Sequence, residues 1–350
     1  MIETIEGHSA PQRVLIIKPS ALGDVVSALP VLRGLRRTFP DAHIAWLVSR
    51  SCAPLIAGDR QVDEVVLFER RRFGAIWRSP SAAMALLGLL RDLRSRRFDW
   101  AIDLQGLLRS ALFARATGAP LRAGFADARE GAGVFYTHRI RVEASHTVDR
   151  NVSLARQLGI DASGADMRLE VSGAGEAFAD AFCRRTDVRR GEFLICAPAT
   201  RWATKIYPMR HWRSVVGELS RDVPVVLIAA PDEREFTRRL GEEFSTGVID
   251  MGGQTSVEEM VAMIAASGGV VCSDSAAKFI APAVGVDCVA RLGPTRNERT
   301  GPYLRGRPIL ADVPCQGCLR RRCKHISCMQ LIDPAEVVSA ARDILNGRPS

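Results

Sequence analysis

The sequence predicts an α/β protein built of two doubly wound domains facing a central cleft. Short continuous apolar runs alternate with helical patterns along most of the chain. The segments that follow those runs are polar, small or cationic. The chain has 350 residues, long for one hydrophobic core when a domain takes roughly 150. Apolar strands without polar alternation belong to parallel sheets covered by helices on both faces.

The strand runs of the first half are VLIIK (Val14 to Lys18), HIAWLV (His43 to Val48), EVVLF (Glu64 to Phe68) and WAIDL (Trp100 to Leu104). Those of the second half are FLICAP (Phe193 to Pro198), VPVVLIAA (Val223 to Ala230), GVID (Gly247 to Asp250), GVVCS (Gly269 to Ser273) and DCVARLG (Asp287 to Gly293). Between them Val171 to Glu192 lacks a strong strand and reads as the passage between halves. The expected domains are residues 1–175 and 176–333, followed by a C-terminal segment, 334–350.

Composition bounds the class. With 47% hydrophobic and 25% charged residues, the chain is neither disordered nor collagenous nor a multi-span membrane protein. Its longest apolar run, Ala82 to Leu90, is far short of the ~20 residues of a spanning helix. The first residues are polar, with Glu3 and Glu6 and no apolar signal segment, so the expected location is cytoplasmic. The net charge is +9, carried almost wholly by arginine, since lysine occurs only at 18, 205, 278 and 324. A basic surface suits nucleic acid, anionic lipid headgroups or phosphorylated substrates without choosing among them. No RNA-binding signature or zinc-finger spacing is present. Nine cysteines without an export signal read as reduced thiols, and Cys52, Cys183, Cys196, Cys272 and Cys288 as small core residues.

In doubly wound folds ligands bind beyond the carboxyl ends of the strands. The first such loop runs from Lys18 to Asp24. Asp24 opens a helix, where a carboxylate caps backbone N–H groups, and from these residues alone that is the plainer reading; the other is a general base toward a sugar hydroxyl. The second loop, Ala199 to Pro208, places Thr200, Arg201, Thr204 and Lys205 after a strand. Phosphate oxygens want such donors, and a solvated basic loop is the plainer reading. The third, Ser273 to Lys278, puts Asp274 and Ser275 at a helix start with small residues behind them, which suits phosphate.

These residues resemble glycosyltransferase family 9, the ADP-heptose:lipopolysaccharide heptosyltransferases, over most of the chain. The matching pieces are VLIIKPSALGDVVSALPVLRGLRRTFP, DWAIDLQGLLRSAL, PATRWATKIYPMRHW, GGQTSVEEMVAMIAASGGVVCSDS and VARLGPT. The resemblance implies a GT-B fold of two Rossmann-like domains, with an acceptor-binding first half and a donor-binding second. It also implies that a C-terminal helix within 334–350 packs back on the first domain. The implied reaction is an inverting, metal-independent transfer of a heptose or similar sugar from a nucleoside-diphosphate donor to a lipopolysaccharide core or related glycan. Asp24 matches the family's base, Lys205 the lysine facing the leaving diphosphate, and Thr200 a neighbouring phosphate contact. Glu233 matches a ribose-binding acid, and Asp274, Ser275 and Ala276 match Asp-Ser/Thr-Gly at the donor-phosphate helix. Arg201, Thr204 and Lys278 complete the expected donor set. Asp103, Gln105 and Gly106 match Asp-x-Gln-Gly and read as shaping the cleft.

The family pattern is Asp-Ser/Thr-Gly-x-x-His, whereas this chain has Asp-Ser-Ala-Ala-Lys. Ala276 replaces the glycine, and Lys278 is taken to replace the histidine. A different donor, or a non-catalytic nucleotide-sugar-binding protein, are the readings this departure opens. Arg71, Arg72 and Arg78, with Arg109 and Arg129, are either a solvated face or the seat of an anionic lipid-linked acceptor, with peripheral association at the inner membrane. The arginines show no interleaved aromatics, so nucleic acid is not an expected partner. His146 reads as a helix cap or surface residue. The spacing Cys315-x-x-Cys318-x-x-x-x-Cys323-x-x-x-x-Cys328 has the chemistry of a structural zinc or iron site, against a loop of reduced thiols. No cofactor is expected for catalysis itself.

Overall fold

The computed structural model describes residues 10–69 and 79–347. The chain divides into two compact units, Met1–Met167 and Arg168–Ser350. The division falls ahead of the expected boundary at 175, because the helix Gly173–Thr186 packs against the helix Val257–Ala266 of the second unit.

The first unit is built on β1 (Arg13–Ile17), β2 (His43–Ser49), β3 (Glu64–Phe68), β4 (Trp100–Asp103), β5 (Leu121–Phe125) and β6 (His138–Ile140). All pair in parallel, in the order β3-β2-β1-β4-β5-β6. This is the doubly wound order, whose direction reverses between β1 and β4. The register sets Ile17 beside Asp103, so the chain leaves both strands at one end. Leu15, Ile17, Leu47, Ala101 and Phe113 belong to one buried cluster beneath the helices Pro80–Ser95 and Leu108–Thr117. Ser79 caps the first of these by accepting from the Ala82 N–H.

Gly124 on β5 shows how tightly this unit is fitted. A Cβ there would come within 2.4 Å of the Tyr136 ring, whose hydroxyl donates to Asp103 Oδ2 at 2.7 Å. Gly124→Ala is therefore expected to displace Tyr136 and destabilise the protein by about 1–3 kcal/mol, the usual cost of overpacking. Urea unfolding of the variant measures it.

The second unit repeats the plan with β7 (Leu194–Ala197), β8 (Val225–Leu227), β9 (Val248–Asp250), β10 (Gly269–Cys272), β11 (Cys288–Arg291) and β12 (Gly306–Ile309). Their order is β12-β11-β10-β7-β8-β9, the same doubly wound sequence. Cys272 pairs with both Ala197 and Ala290, so the loops after β7, β10 and β11 emerge side by side. Ser256 and Glu259 form a reciprocal capping box that opens the helix Val257–Ala266.

The helix Pro334–Leu345, expected to pack back on the first domain, has its apolar face buried within the second unit: Val337, Val338, Ala340, Ala341 and Ile344 share one cluster with Val215, Val216 and Leu219. Arg342 Nε donates to Asp222 at 2.7 Å and fixes the same contact from its rim. Cys52, Cys196, Cys272 and Cys288 are buried free thiols, and Cys183 is half-buried.

Candidate active site

In the second unit the three loops converge on one carboxylate. Asp274 is buried, with 6% exposure, directly after β10. Lys205 Nζ stands 2.8 Å from its Oδ2, Lys278 Nζ donates to its Oδ1, and the Thr295 hydroxyl donates to Oδ2. Lys205 comes from the loop after β7 and Thr295 from the loop after β11, while Lys278 lies one helical turn on from Asp274. Burial alone would raise the Asp274 pKa, but the ammonium groups of Lys278 and Lys205 reverse this and hold it below the usual carboxylate range. Two ammonium groups share one carboxylate, so the cluster carries excess positive charge.

Arg291 adds to that potential from below. It is fully buried at the end of β11, donating from Nη2 to the Ser273 hydroxyl at 3.2 Å. Ser273 in turn donates to the Pro198 carbonyl at 2.6 Å, joining the roots of the loops after β7 and β10. The Arg291 guanidinium lies 3.5 Å from the centroid of the Trp212 ring, and its Nε and Nη1 have no hydrogen-bond partner among the described residues. Burial lowers its pKa to about 10, which still leaves it charged at neutral pH. A buried cation without a carboxylate partner costs stability, and the aromatic face offsets part of that cost.

The remaining donor residues differ in their state. Glu233 closes the turn Pro231–Glu233 after β8. Burial pushes its carboxyl up, Asp232 adds to this, and Arg201 opposes it. Ser275 and Ala276 are half-buried ahead of the helix Ala277–Ala283. Thr200 is half-buried beside exposed Arg201. Thr204 donates its hydroxyl to the Arg320 carbonyl at 2.9 Å, so here it anchors a neighbouring loop.

Two observations bear on Lys278, expected either to pair with Asp274 or to reach the donor. Its ammonium is buried on Asp274. Counted from Asp274, the histidine of the six-residue family pattern falls on Phe279, one position beyond Lys278. Phe279 is buried, and the substitution at the histidine position is an apolar ring.

In the first unit, Asp24 lies in the short helix Leu22–Val26 and accepts from the Ala21 N–H through Oδ2 at 2.9 Å. The capping geometry is present, and the second oxygen of the half-buried carboxylate has no hydrogen-bond partner among the described residues. Ser27 donates to the Asp24 carbonyl at 2.7 Å, and Asn151 Nδ2 donates to the Ser27 carbonyl at 2.9 Å. Lys18 is buried, its Nζ donating to the Leu104 carbonyl at 2.6 Å. Burial lowers the Lys18 pKa, while Asp24 and Asp103 oppose that shift. Asp103 accepts from Tyr136 and from the N–H groups of Gln105 and Gly106, and burial raises its pKa. Asp103 thus braces the turn through Gln105 and Gly106.

Arg71, Arg72 and Arg78 lie outside the described residues. Arg129 is exposed, and the Arg109 guanidinium sits 5.8 Å from the Phe68 ring centroid. His146 caps the helix Thr147–Gln157 by accepting from the Val148 N–H at 3.3 Å.

The four C-terminal cysteines are free thiols that range from buried Cys328 to exposed Cys318. Among the described residues, no group of three or more His, Cys, Asp or Glu side chains is arranged to hold a metal ion. Burial, and then the neighbouring Cys315, Cys318 and Cys323 thiols, push the Cys328 thiol up to about 11.

Two domains of this doubly wound order are those of the GT-B fold. The profile of Glycosyltransferase family 9 (heptosyltransferase) matches residues 86–328, and the chain belongs to that family. Lipopolysaccharide heptosyltransferase 1 of Pseudomonas aeruginosa is 29% identical over 327 residues, covering 89% of this chain and 88% of that protein. Lipopolysaccharide heptosyltransferase 1 of Escherichia coli K12 is 27% identical over 298 residues, covering 83% and 91%. The structure of the E. coli heptosyltransferase WaaC with ADP superposes with a TM-score of 0.76 at 24% identity, over 95% of this chain and 99% of that one. A family 9 glycosyltransferase from Veillonella parvula reaches 0.81 at 19% identity, over 97% and 100%.

Proposed function

We propose that this chain transfers a heptose from ADP-heptose to a lipopolysaccharide core acceptor, with inversion at the anomeric carbon and without a metal ion. The observation that carries the reading is the Lys205–Asp274–Lys278 cluster beyond the second sheet, positive in excess and backed by buried Arg291. A departing nucleoside diphosphate needs such a preorganised positive field. The names of the relatives, lipopolysaccharide heptosyltransferases, supply the sugar and the acceptor, and the solved relative with ADP supplies the nucleotide.

In the proposed step Asp24 takes the proton of the acceptor hydroxyl. The oxygen forms its bond to the anomeric carbon as the bond to the donor phosphate breaks, and ADP leaves with the electron pair. Lys205 neutralises the charge that develops on the diphosphate, with Thr200 and Arg201 beside it; Glu233 holds the ribose. The acceptor is anionic and lipid-linked, with Arg129 among the residues that receive it. No helix among the described residues is long and apolar enough to cross a membrane, so work at the inner membrane surface would rest on the acceptor and peripheral contacts.

The test is nucleoside diphosphate release from a panel of nucleotide sugars, with and without a lipid-core acceptor. ADP release from ADP-heptose that requires acceptor supports the reading. Preference for another donor would trace to Ala276 and Phe279, and binding without release would make the chain a nucleotide-sugar-binding protein. Lys205→Ala is expected to weaken ADP binding about 10-fold or more and to slow transfer, because a charge-assisted contact to the leaving group is lost. Equal ADP affinity in variant and wild type, by calorimetry, would remove the phosphate role from this loop.

A further inference from the structure

We propose that Arg321 binds the donor: its guanidinium, held on Trp202 beside Lys205, takes the diphosphate of the nucleotide sugar. The proposal rests on the reading of the second unit as the donor site and extends that site to a loop known so far only for its cysteines. The structure fastens this loop to both neighbouring site loops. Gln316 Nε2 donates to the Gly293 carbonyl at 2.7 Å and the Leu319 N–H to the Pro294 carbonyl at 2.7 Å, both after β11. On the other side the Thr204 hydroxyl donates to the Arg320 carbonyl at 2.9 Å, after β7. Arg321 therefore follows a backbone pinned at the rim of the cluster.

Its side chain is placed with equal clarity. The Trp202 ring carries Lys205 Nζ at 4.4 Å from its centroid and the Arg321 guanidinium carbon at 4.6 Å. Two cations on one half-buried indole repel each other, and an anion between them would relieve that repulsion. Lys205 is already engaged with Asp274, whereas Arg321 makes no ion pair among the described residues. Its exposed neighbours Arg320, Arg322 and Lys324 make none either, which leaves a local excess of positive charge at this edge of the site. Arginines elsewhere in the chain, such as Arg36, Arg190 and Arg238, do pair with acids. A planar fork parked on an aromatic face, beside a lysine, is suited to a diphosphate oxygen pair.

The test titrates ADP and adenosine into the full-length wild type, Arg321→Ala, Arg321→Lys and Lys205→Ala, with thermal unfolding as a check on folding. Arg321→Ala is expected to weaken ADP about 10-fold or more, the loss of a charge-assisted contact, and to leave adenosine affinity unchanged. Arg321→Lys should recover part of the loss, and the donor KM should rise with kcat nearly constant. Arg321→Ala with wild-type ADP affinity, while Lys205→Ala is weakened, overturns the proposal and leaves the donor site standing. An equal loss for ADP and adenosine also overturns it, since that reports loop disorder. If neither variant changes ADP binding, the donor reading itself fails.

Discussion

Asp24→Asn is expected to lower turnover by about 10²–10⁴-fold at saturating donor, the usual cost of removing a general base, while ADP affinity stays at the wild-type level. The structure makes this a clean substitution. Among the described residues the Asp24 Oδ2 accepts only a backbone N–H, from Ala21 at 2.9 Å, and an amide oxygen can accept the same bond. The short helix Leu22–Val26 is further braced through Ser27 and Asn151, neither of which touches the Asp24 carboxylate. The fold should therefore survive, and what disappears is the ability to take a proton. Initial rates with acceptor, alongside an ADP titration, separate the two roles. Near-full turnover in a folded variant would make Asp24 a helix cap and nothing more.

How far the sequence foretold this arrangement depends on where each element lies in its sheet. β1 and β10, which show as apolar runs, are central and almost wholly buried, and the edge strands β3 and β9 show as such runs too. Three others escape such a reading: β5 (LRAGF), β6 (HRI) and β12 (GRPI) are short and carry Arg, Gly or Pro. β6 and β12 are edge strands, unpaired along one side and only partly buried. The site follows the same logic. Lys205 and Asp274 are legible because each sits just after an apolar strand. Their contact is not, because it depends on the pairing of Ala197 with Cys272 across two strands far apart in sequence.

Other groups are hidden for different reasons. Arg291 reads as one charge inside an apolar run, and only the packing of Trp212 beneath it reveals a buried cation. Thr295 lies in VARLGPT, where the hydroxyl gives no sign of its carboxylate partner. The helix Pro334–Leu345 has an apolar face, but periodicity alone does not say which sheet that face meets. Its partner is the helix Met209–Leu219.

Asp274→Ala should be the most damaging substitution for stability, costing about 3–5 kcal/mol, as expected when one partner of a buried ion pair is removed. The carboxylate accepts from Lys278, Lys205 and Thr295 together. Lys278, with 3% exposure, would then be left as a buried ammonium without its acceptor. Asp274→Asn keeps the shape and loses the charge, so it should be nearly as harmful, whereas adding Lys278→Met removes both charges and should recover part of the loss. The same pair gives a pH dependence of definite sign. The folded pKa of Asp274 lies below its unfolded value of about 3.9, so the stabilisation is present in full above that pH. It is lost as pH falls from about 4 through the folded pKa, and Asp274→Asn should lack this component. Urea midpoints followed by tryptophan emission, at neutral pH and across the acid range, measure both effects. A variant that unfolds within about 1 kcal/mol of wild type, the range of an ordinary surface substitution, would mean that the two lysines find other acceptors and that Asp274 does not organise the cluster.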